Sequence, residues 1–542
     1  MKLEHTGLWA RNAALIRTLT PGLIERITDT PRGEGVVDVK VETAASGEPT
    51  LVAGGMYVHS QRDPAREAAR LAAACAGSGV IVALGFGLGY AVIAAAELCG
   101  NSRPVIIVEK RPEILKKAFE TRDFTGFLAK NTVVCMIGGA EDAIFGALSL
   151  FSTGGGHKGG GDICIMRNRA LVRLDEQWYA GVERRIRTWT TRETVNEATF
   201  TRFGARWARN FTQNAALSGC IGTYPGVSRL KGLLRHEIPV LLVAAGPSLD
   251  RIASLMPAFA ERCAVVSVDT SLNYLIRAGV DPDWTVSGDP QYWNSRHLDR
   301  LSLTHTCLVT ESAIYPLTLR YGKRTFLFAT RLPHGKRIEE QVDPKGELGS
   351  GGSVATTAFD FCLELDPSVI FIAGLDLAFP HYKTHFKDAF FEKQANARAT
   401  RLCPAETGSF RALRDGAPFY AAAANGGSVL TDTRLSLYAA WFENRLFSLS
   451  SVKASPDRKP VAVYSLSEEG LAIRGLETAG ADAVLALPPR GADIRSLIRR
   501  AFERIERDFA AESGARRERL AAATGAGGSF AAGYDQEAGK NP

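Results

Sequence analysis

Short apolar runs alternate with amphipathic stretches through the middle of the chain. The clearest example begins with an uninterrupted apolar run at 240–245, which meets Gly246-Pro247-Ser248 at once. Apolar residues then recur at helical spacing over 249–259. The pattern predicts a buried strand, a tight glycine turn and an amphipathic helix.

A second apolar run at 264–268 follows and ends on Asp269 and Thr270. In an open parallel sheet, ligands bind beyond the carboxyl ends of the strands, where backbone amides can hold a phosphate. We therefore expect a nucleotide or nucleotide-sugar site at the Gly246 turn. A strand–helix–strand unit that only packs, with no ligand, would need the same glycine.

Alternation of this kind is typical of a doubly wound parallel sheet. We predict an α/β protein with a Rossmann-like doubly wound central domain, a Rossmann-like N-terminal domain, a helical connector and a C-terminal helical region. The predicted central strands are 240–245, 264–268, 284–287, 307–310, 325–329 and 369–373. The predicted segments are 1–175 for the N-terminal domain, 176–235 for the connector, 236–480 for the central domain, 481–525 for the helical region and 526–542 for a disordered tail.

A second glycine motif lies in the N-terminal domain. Gly85, Gly87 and Gly89 follow an apolar run, and Glu109 closes the next one, where an acidic residue would meet a ribose hydroxyl. The segment resembles the first motif of S-adenosylmethionine-dependent methyltransferases. A structural Rossmann-like unit is the alternative. The glycine-rich stretch at 152–162, with His157 and Lys158, is interpreted as a surface loop.

Composition narrows the class of protein. The chain has 542 residues, 45% of them hydrophobic and 23% charged, which suits a globular protein of several domains. The net charge of +7 is modest for this length, so we predict no nucleic-acid partner. The nine cysteines are far apart with no C-x-x-C pair, and we interpret them as buried free thiols in a reducing compartment.

The N-terminus has no apolar core behind a basic start, so no signal peptide is expected. No apolar stretch approaches ~20 residues free of charge or glycine, the length a membrane span needs. We therefore predict a cytoplasmic protein without a membrane span. The sequence predicts no particular oligomeric state.

Three further features follow predicted strands and could converge on the Gly246 turn. Asp289 follows the strand at 284–287, and Gly374 and Asp376 follow the strand at 369–373. Ser350, Gly351, Gly352 and Ser353 precede a helix whose N-terminal amides could face an anion. The polar loop after Asp376 supplies His381, Tyr382, Lys383 and His385.

Each feature has a structural alternative. Ser350 and Ser353 could act only as helix N-caps, and Asp289 and Asp376 could be turn residues. The spacing of His381 and His385 suits a metal, but no cysteine or further histidine lies close in sequence, so no metal is predicted. No Gly-x-Ser-x-Gly elbow or Walker lysine appears, which disfavours serine hydrolases and P-loop enzymes.

Taken in order, these motifs resemble the central domain of the motility accessory factor (Maf) family, bacterial proteins associated with flagellin glycosylation. The resemblance rests on Ala245-Gly246-Pro247-Ser248-Leu249, Val268-Asp269-Thr270, Ser350-Gly351-Gly352-Ser353 and Ala373-Gly374-Leu375-Asp376-Leu377. The segments HSQRDPAREA, RWARNFTQN and, at 461–475, VAVYSLSEEGLAIRG are also similar to family segments. Several separated motifs in the right order are more specific than one glycine turn.

That family in turn resembles bacterial sialyltransferases. The resemblance implies transfer of a nonulosonic acid, of the pseudaminic or legionaminic acid type, from a CMP-activated donor to Ser or Thr of flagellin. It implies that Gly246, Pro247 and Ser248 approach the donor phosphate or ribose, and that Ser350 to Ser353 hold the cytidine or phosphate. Gly374 and Asp376 would shape the pocket floor. Asp269, with Thr270 beside it, stands where the sialyltransferases carry a nucleotide-contacting Asn.

Two departures from the sialyltransferase pattern leave roles open. Ala378-Phe379 stands where those enzymes place a tyrosine, so Tyr382, Lys383 or a histidine would have to contact the phosphate. No histidine occurs in AANGGSVLTDTRLSLYAAWFEN, where their base lies. Displacement at an anomeric carbon needs a base on the acceptor hydroxyl, and the candidates are Asp289, His381 and His385. The resemblance implies no metal and no cofactor beyond the CMP-nonulosonate donor.

Three alternatives stay open. A related branch resembles a 6-hydroxymethylpterin pyrophosphokinase that uses ATP and Mg²⁺, in which Asp269, Asp289 and Asp376 would be linked to the metal. A non-catalytic flagellin-binding assembly factor is the second alternative, which the missing histidine favours. A methyltransferase centred on Gly85 to Glu109 is the third.

Overall fold

In a computed structural model, the chain forms two compact units, residues 1–194 and 195–542. Apart from a few isolated positions, the residues that the structure describes are 2–19, 23–28, 37–101, 103–139, 163–217, 219–299, 305–451 and 461–523. The predicted loop at 152–162 and the predicted tail at 526–542 lie outside the described residues. The helix Glu176–Leu217 covers most of the predicted connector.

The first unit contains two sheets. An antiparallel sheet is formed by β1 (Val39–Thr43), β2 (Pro49–Ala53) and β3 (Met56–Tyr57). A parallel sheet has the order β6-β5-β4-β7, from β4 (Val80–Leu84), β5 (Val105–Glu109), β6 (Val133–Ile137) and β7 (Ile163–Arg167). The described helices here are Lys2–Leu19, Leu23–Thr28, Pro64–Ala72, Tyr90–Leu98, Pro112–Thr121, Thr125–Lys130 and Arg169–Leu174.

Strand β4 shows why this sheet is covered on both faces. Ile81 and Ala83 belong to one buried cluster, and Val82 and Leu84 belong to another. Successive side chains of a strand point to opposite faces, so an unbroken apolar run needs apolar cover on both sides. This is the predicted Rossmann-like arrangement of the N-terminal region.

The second unit is built on an eight-stranded parallel sheet, in the order β12-β11-β10-β9-β8-β13-β16-β17. Its strands are β8 (Val240–Val243), β9 (Ala264–Val268), β10 (Trp284–Val286), β11 (Cys307–Glu311), β12 (Thr325–Phe328), β13 (Val369–Ala373), β16 (Ala462–Ser465) and β17 (Glu477–Thr478). A separate hairpin pairs β14 (Phe419–Ala422) with β15 (Ser428–Thr431). All six predicted central strands are present.

Helices cover both faces of this sheet, so the predicted doubly wound α/β class is confirmed. In β8, Val240 and Leu242 face one apolar cluster, and Leu241 and Val243 face another. The helices are Cys220–Thr223, Leu249–Ile252, Met256–Ala260, Asp269–Arg277, Tyr292–Ser295, Pro333–Val342, Val354–Glu364, Phe390–Ala397, Glu406–Asp415, Thr433–Ser451, Ala481–Leu485, Gly491–Ala511 and Ser513–Ala523.

The helix expected over 249–259 is broken. It consists of Leu249–Ile252, a 3-10 turn at Ala253–Leu255 and a new helix at Met256–Ala260. Pro257 lies in the first turn of the new helix. Proline has no amide hydrogen, so it suits a helix start and cannot continue the preceding helix.

The C-terminal helix Gly491–Ala511 is part of the second unit's core. The ring of Phe502 lies 6.0 Å from Trp284 of β10 and 5.8 Å from Phe326 of β12, between centroids. Within the described residues, no helix combines the length and apolar character that crossing a membrane requires.

The expectation of nine buried free thiols is wrong. Cys75 and Cys164 form a disulfide across 89 residues, and Cys403 is exposed. Cys164 lies in β7, opposite Ile81 of β4, and its Cα lies 5.4 Å from that of Cys75. Cys75 ends the 3-10 turn Ala73–Cys75 that precedes β4, so the fold rather than spacing along the sequence brings the two thiols together.

Candidate functional site

The central sheet reverses its direction of growth between β8 and β13. From β8 the sheet extends through β9 to β12, and from β13 it extends through β16 and β17. Such a switch point opens a crevice at the carboxyl ends of the two strands, where α/β proteins bind ligands. The Gly246 turn follows β8 and Asp376 follows β13, so both stand at this crevice.

The Gly246 turn lies directly against Asp376. A Cβ atom on Gly246 would lie 2.3 Å from Oδ2 of Asp376 and 2.6 Å from the carbonyl oxygen of Gly374, so only glycine fits there. The amide of Gly246 donates to the Gly374 carbonyl at 2.7 Å, and the amide of Ser248 donates to Asp376 Oδ2 at 2.8 Å. The two predicted motifs therefore form one site, whose Gly246 and Ser248 amides already have acceptors.

The segment after β16 forms a third wall of this site. The Ser467 hydroxyl donates to Oδ1 of Asp376 at 2.8 Å and makes a very short contact with the Ser248 hydroxyl. A Cβ atom on Gly470 would lie 2.8 Å from both Cα and the carbonyl oxygen of Asp376. The sequence marked this segment only as a family resemblance, and the parallel pairing of β13 with β16 places it here.

Burial acts on the Asp376 carboxyl. Its side chain is almost fully enclosed, with 1% of the residue exposed. Burial raises the pKa of Asp376, while the hydrogen bonds from Ser248 and Ser467 oppose that rise. A carboxylate in this position acts as a fixed acceptor that joins three loops.

A polar cleft of about 390 Å³ opens above the turn. Its lining residues are Pro247, Ser248, Asp250, Arg251, Pro380, His381, Lys383 and Glu469. A volume of this order falls in the range of small-molecule sites. Tyr382, by contrast, is 63% exposed, and its hydroxyl lies 3.4 Å from the Tyr420 hydroxyl.

A second group of polar residues follows β9 and β10. Asp269 is buried and accepts from the Ser287 hydroxyl at 2.8 Å, from the Asn294 side-chain amide at 3.3 Å and from the Thr270 hydroxyl at 3.1 Å. Both oxygens of Asp269 thus have protein partners. The structure places Asp269 and Thr270 one strand from the Gly246 turn, because β9 pairs with β8.

His297, which the sequence analysis missed, lies in this second group. The residue is 3% exposed, and its ring packs edge-on against Phe390 and Phe391 at 5.7 and 5.3 Å. Its Nδ1 has no hydrogen-bond partner among the described residues. Burial lowers the pKa of His297, the charge of Asp269 opposes this, and His385 adds to it. His385 is therefore close enough for its charge to act on His297.

His385 lies beside an acidic residue. Its Nδ1 lies 3.9 Å from Oε1 of Glu392, the distance of an ion pair rather than a hydrogen bond, and the same oxygen accepts the Thr384 hydroxyl at 2.5 Å. Interaction with His385 lowers the pKa of Glu392, and Thr384 adds to this effect. The Phe386 amide donates to the Ala245 carbonyl at 3.2 Å, which ties this loop to the end of β8.

Asp289 caps the turn after β10. Its Oδ1 accepts the Gln291 amide at 3.0 Å, and burial raises its pKa. Asn210 of the long helix holds the same turn, because its side-chain amide donates to the Pro290 carbonyl at 2.9 Å and the Ala313 carbonyl at 3.2 Å. The quoted segment RWARNFTQN thus supplies an anchor for the loops beside Asp289.

Polar groups of the Ser350–Ser353 loop already bond to the helix that follows it. The Gly351 amide donates to the Thr356 hydroxyl at 2.7 Å, and the Ser353 hydroxyl caps Ala355 at 3.3 Å. Gly352 has a φ of +94°, and a Cβ atom there would lie 2.8 Å from the Tyr438 ring. The N-cap alternative therefore describes Ser353, and among the described residues no hydrogen bond joins this loop to the Gly246 turn.

The family match to known proteins lies over the central sheet. A family model described as "MptE-like: 6-hydroxymethylpterin diphosphokinase MptE-like" matches residues 210–381, which include β8 to β13. Two uncharacterized proteins of Treponema pallidum (strain Nichols) are similar. One is 33% identical over 231 residues, 37% of this chain and 56% of its own length. The other is 28% identical over 263 residues, 46% of this chain and 84% of its own length. The match thus spans little more than half of the first relative.

Among solved structures, the Maf glycosyltransferase from Magnetospirillum magneticum AMB-1 aligns over 92% of this chain and 78% of its own, with a TM-score of 0.51 and 14% identity. The chain has the fold of this Maf glycosyltransferase. The resemblance predicted from separated motifs is thereby confirmed for the fold. At this identity the activity has to be argued from the site.

Side chains of the protein itself occupy the space around the glycine motif of the first unit. The Leu88 amide donates to Nε2 of His59 at 2.7 Å, and the Phe86 amide donates to Oε2 of Glu109 at 2.9 Å. A Cβ atom on Gly85 would lie 2.8 Å from the Leu171 side chain. Burial raises the pKa of Glu109 to about 7. These contacts favour the structural alternative over a methyltransferase site.

Across the residues that the structure describes, no three His, Cys, Asp or Glu side chains come together in a group that could hold a metal ion. His381 lies 3.4 Å from Glu469, and His385 lies 3.9 Å from Glu392, so the two histidines have separate acidic partners.

Proposed function

We propose that the protein is a glycosyltransferase. It moves a nonulosonic acid, of the pseudaminic or legionaminic acid type, from a CMP-activated donor to Ser or Thr of flagellin, and so supports flagellum assembly and motility. One observation carries the proposal: the Gly246 turn, Asp376 and Ser467 form a single hydrogen-bonded site under a polar cleft at the switch point. The likeness in fold to a Maf glycosyltransferase supports it.

Side chains rather than turn amides hold the donor phosphate in this proposal. The amides of Gly246 and Ser248 already donate to protein acceptors. Arg251, His381 and Lys383 line the same cleft and can carry positive charge. These groups would stabilise the charge that grows on CMP as it leaves, so the proposed reaction needs no metal ion.

His385 is the proposed general base. The acceptor hydroxyl gives its proton to His385 while its oxygen attacks the anomeric carbon. The bond from that carbon to the phosphate oxygen breaks, and both electrons leave on CMP. Glu392 stabilises the imidazolium that forms, since it lies 3.9 Å from Nδ1. Of the other candidates, His381 is 73% exposed in its side chain and Asp289 is bound to its own turn.

The family match favours one second candidate, a 6-hydroxymethylpterin diphosphokinase that uses ATP and Mg²⁺. The candidate aspartates at the described site do not fit its metal. Both oxygens of Asp376 accept from Ser248 and Ser467, and both oxygens of Asp269 accept from neighbouring side chains. These carboxylate oxygens already serve as acceptors for protein donors and would have to give them up to bind Mg²⁺.

Purified protein incubated with flagellin and CMP-pseudaminic or CMP-legionaminic acid tests the proposal. The expected result is an increase in the intact mass of flagellin by whole sugar residues, together with release of CMP. Flagellin binding without any mass increase would replace the transferase with a flagellin-binding assembly factor. Diphosphate transfer from ATP to a hydroxymethylpterin would replace it with the diphosphokinase.

A further inference from the structure

Glu469 bridges two basic side chains at the mouth of the cleft. Its Oε1 lies 2.6 Å from Nη1 of Arg251, and its Oε2 lies 3.4 Å from Nε2 of His381. The Glu469 side chain is 29% exposed, whereas those of Arg251 and His381 are 62% and 73% exposed. The Glu469 carboxylate is therefore the least exposed of the three side chains. It pairs with Arg251 and His381, the two groups best placed to meet an incoming anion.

The charges that line the cleft cancel. Lys383 lies 4.0 Å from Oδ2 of Asp250, so the second cation also has a carboxylate partner. A phosphate that enters this cleft meets two cations that are already paired. Because a guanidinium binds carboxylate and phosphate through the same N–H groups, a phosphate on Arg251 has to displace the carboxylate.

The two carboxylates differ in how they are held. Asp250 also accepts the Lys387 amide at 3.3 Å, so it helps to hold the loop that contains Lys387. Glu469 is held through its backbone neighbours: the Leu471 amide donates to the Asp376 carbonyl at 2.7 Å, and Gly470 packs on the Asp376 backbone. The main chain beside Glu469 is fixed at the site, while its side chain pairs with Arg251 and His381 at the exposed mouth.

We propose that Glu469 is a built-in competitor for the phosphate of the ligand. Its carboxylate occupies Arg251 and His381 until the phosphate takes them, and it returns to them when the product leaves. The identity of that ligand as CMP rests on the proposed function. The competition itself rests on the ion pairs and applies to any phosphate bound at Arg251.

Glu469→Gln tests this, with Glu468→Gln as the matched control. Glu468 is the adjacent exposed residue, so its substitution removes the same formal charge without touching Arg251. Isothermal titration with CMP and, separately, with inorganic phosphate should show about tenfold tighter binding to Glu469→Gln, which corresponds to about 1.4 kcal/mol. Glu468→Gln should stay within about twofold, since an exposed charge is largely screened. Arg251→Gln combined with Glu469→Gln should lose the gain.

The outcomes separate this inference from the proposed function. If CMP binds wild-type protein and the Glu469→Gln and Glu468→Gln variants equally, the donor site stands and the competition is wrong. If no protein binds CMP but Glu469→Gln binds inorganic phosphate more tightly than Glu468→Gln, the competition stands and the proposed donor is wrong. Weaker binding to Glu469→Gln would overturn the inference, because Glu469 would then help to hold the ligand. Absence of binding by every protein would overturn both.

Discussion

The Ser467 hydroxyl donates to Oδ1 of Asp376 at 2.8 Å, although 91 residues separate the two in the chain. The other carboxylate oxygen accepts the Ser248 amide at 2.8 Å. Asp376 thus joins the ends of three parallel strands, β8, β13 and β16. The candidate site depends on this one buried acceptor more than on the glycine turn alone.

Asp376→Ala should destabilise the second unit. The substitution leaves the buried Ser248 amide and Ser467 hydroxyl without their acceptor, which should cost about 3 kcal/mol of unfolding free energy. Ser467→Ala removes one of the two donors and should cost about 1 kcal/mol. Thermal and chemical unfolding of the full chain measures both. Equal stability of Asp376→Ala and wild-type protein would show that the carboxylate does not hold the three strand ends together.

Gly246→Ala should disrupt the site through a clash. Its Cβ would lie 2.3 Å from Oδ2 of Asp376, so the turn and the carboxylate have to separate. Gly408→Ala is the control, because Gly408 lies within the helix Glu406–Asp415 and its Cβ would meet nothing within 4 Å. The control should gain about 0.5–1 kcal/mol from helix propensity, while Gly246→Ala loses stability and CMP affinity. A Gly246→Ala variant with the affinity of the wild type would contradict the geometry.

The sequence predicts the fold well because the pattern of an α/β sheet is local. Each buried strand is a short apolar run, and each glycine turn follows one directly, as at 240–245 and Gly246. Asp376 could be placed beside Gly246 because both end parallel strands. The broken helix after Leu249 was missed, since its apolar spacing continues across Pro257.

The rest of the site depends on the order of the strands in the sheet. The hydrophobic pattern of the sequence does not predict that order. Ser467 reaches Asp376, and Glu469 reaches the cleft, because β16 pairs with β13. His297 belongs to a short 3-10 turn after β10, with no motif around it. At Ser350 to Ser353 the sequence left an N-cap and an anion site open, because both use the same small residues; the structure shows the N-cap at Ser353, and donor binding by this loop stays a prediction. His297 could have been found only by asking which histidines follow predicted strands.

His385→Ala should slow transfer without weakening donor binding. Loss of a general base typically lowers the rate about 10²–10⁴-fold, so kcat should fall by that order while the Kd for CMP changes little. Glu392→Gln should lower kcat by a smaller factor. Asp388→Asn is the loop control, since Asp388 pairs with Lys393 at 2.7 Å in the same segment. If His385→Ala kept the kcat of wild-type protein, Asp289→Asn would be the next variant to test as base.

His59 should stay neutral well below neutral pH. Burial first, and the charge of Arg122 second, lower its pKa to about 4. The unfolded chain takes up this proton near pH 6.5, so the contribution of His59 is full above pH 6.5 and is lost as the pH falls toward 4. That loss amounts to about 3 kcal/mol of unfolding free energy.

NMR of the full chain labelled with ¹³C at the histidine Cε1 checks this directly. The His59 signal, identified as the one missing in His59→Gln, should not titrate between pH 8 and about 5. The glutamine variant keeps an acceptor for the Leu88 amide, so it tests titration rather than folding. A midpoint near 6.5 would show that the glycine motif of the first unit is open to water.

Calorimetric titration of CMP into wild-type protein and into Gly246→Val tests the central claim most directly. We predict saturable binding of CMP to wild-type protein at one site, and none to a Gly246→Val variant whose circular dichroism shows that it is folded. ATP with Mg²⁺ and S-adenosylmethionine should bind neither protein. Equal binding of CMP to both proteins, or binding of ATP with Mg²⁺ alone, would contradict a donor site at the Gly246 turn.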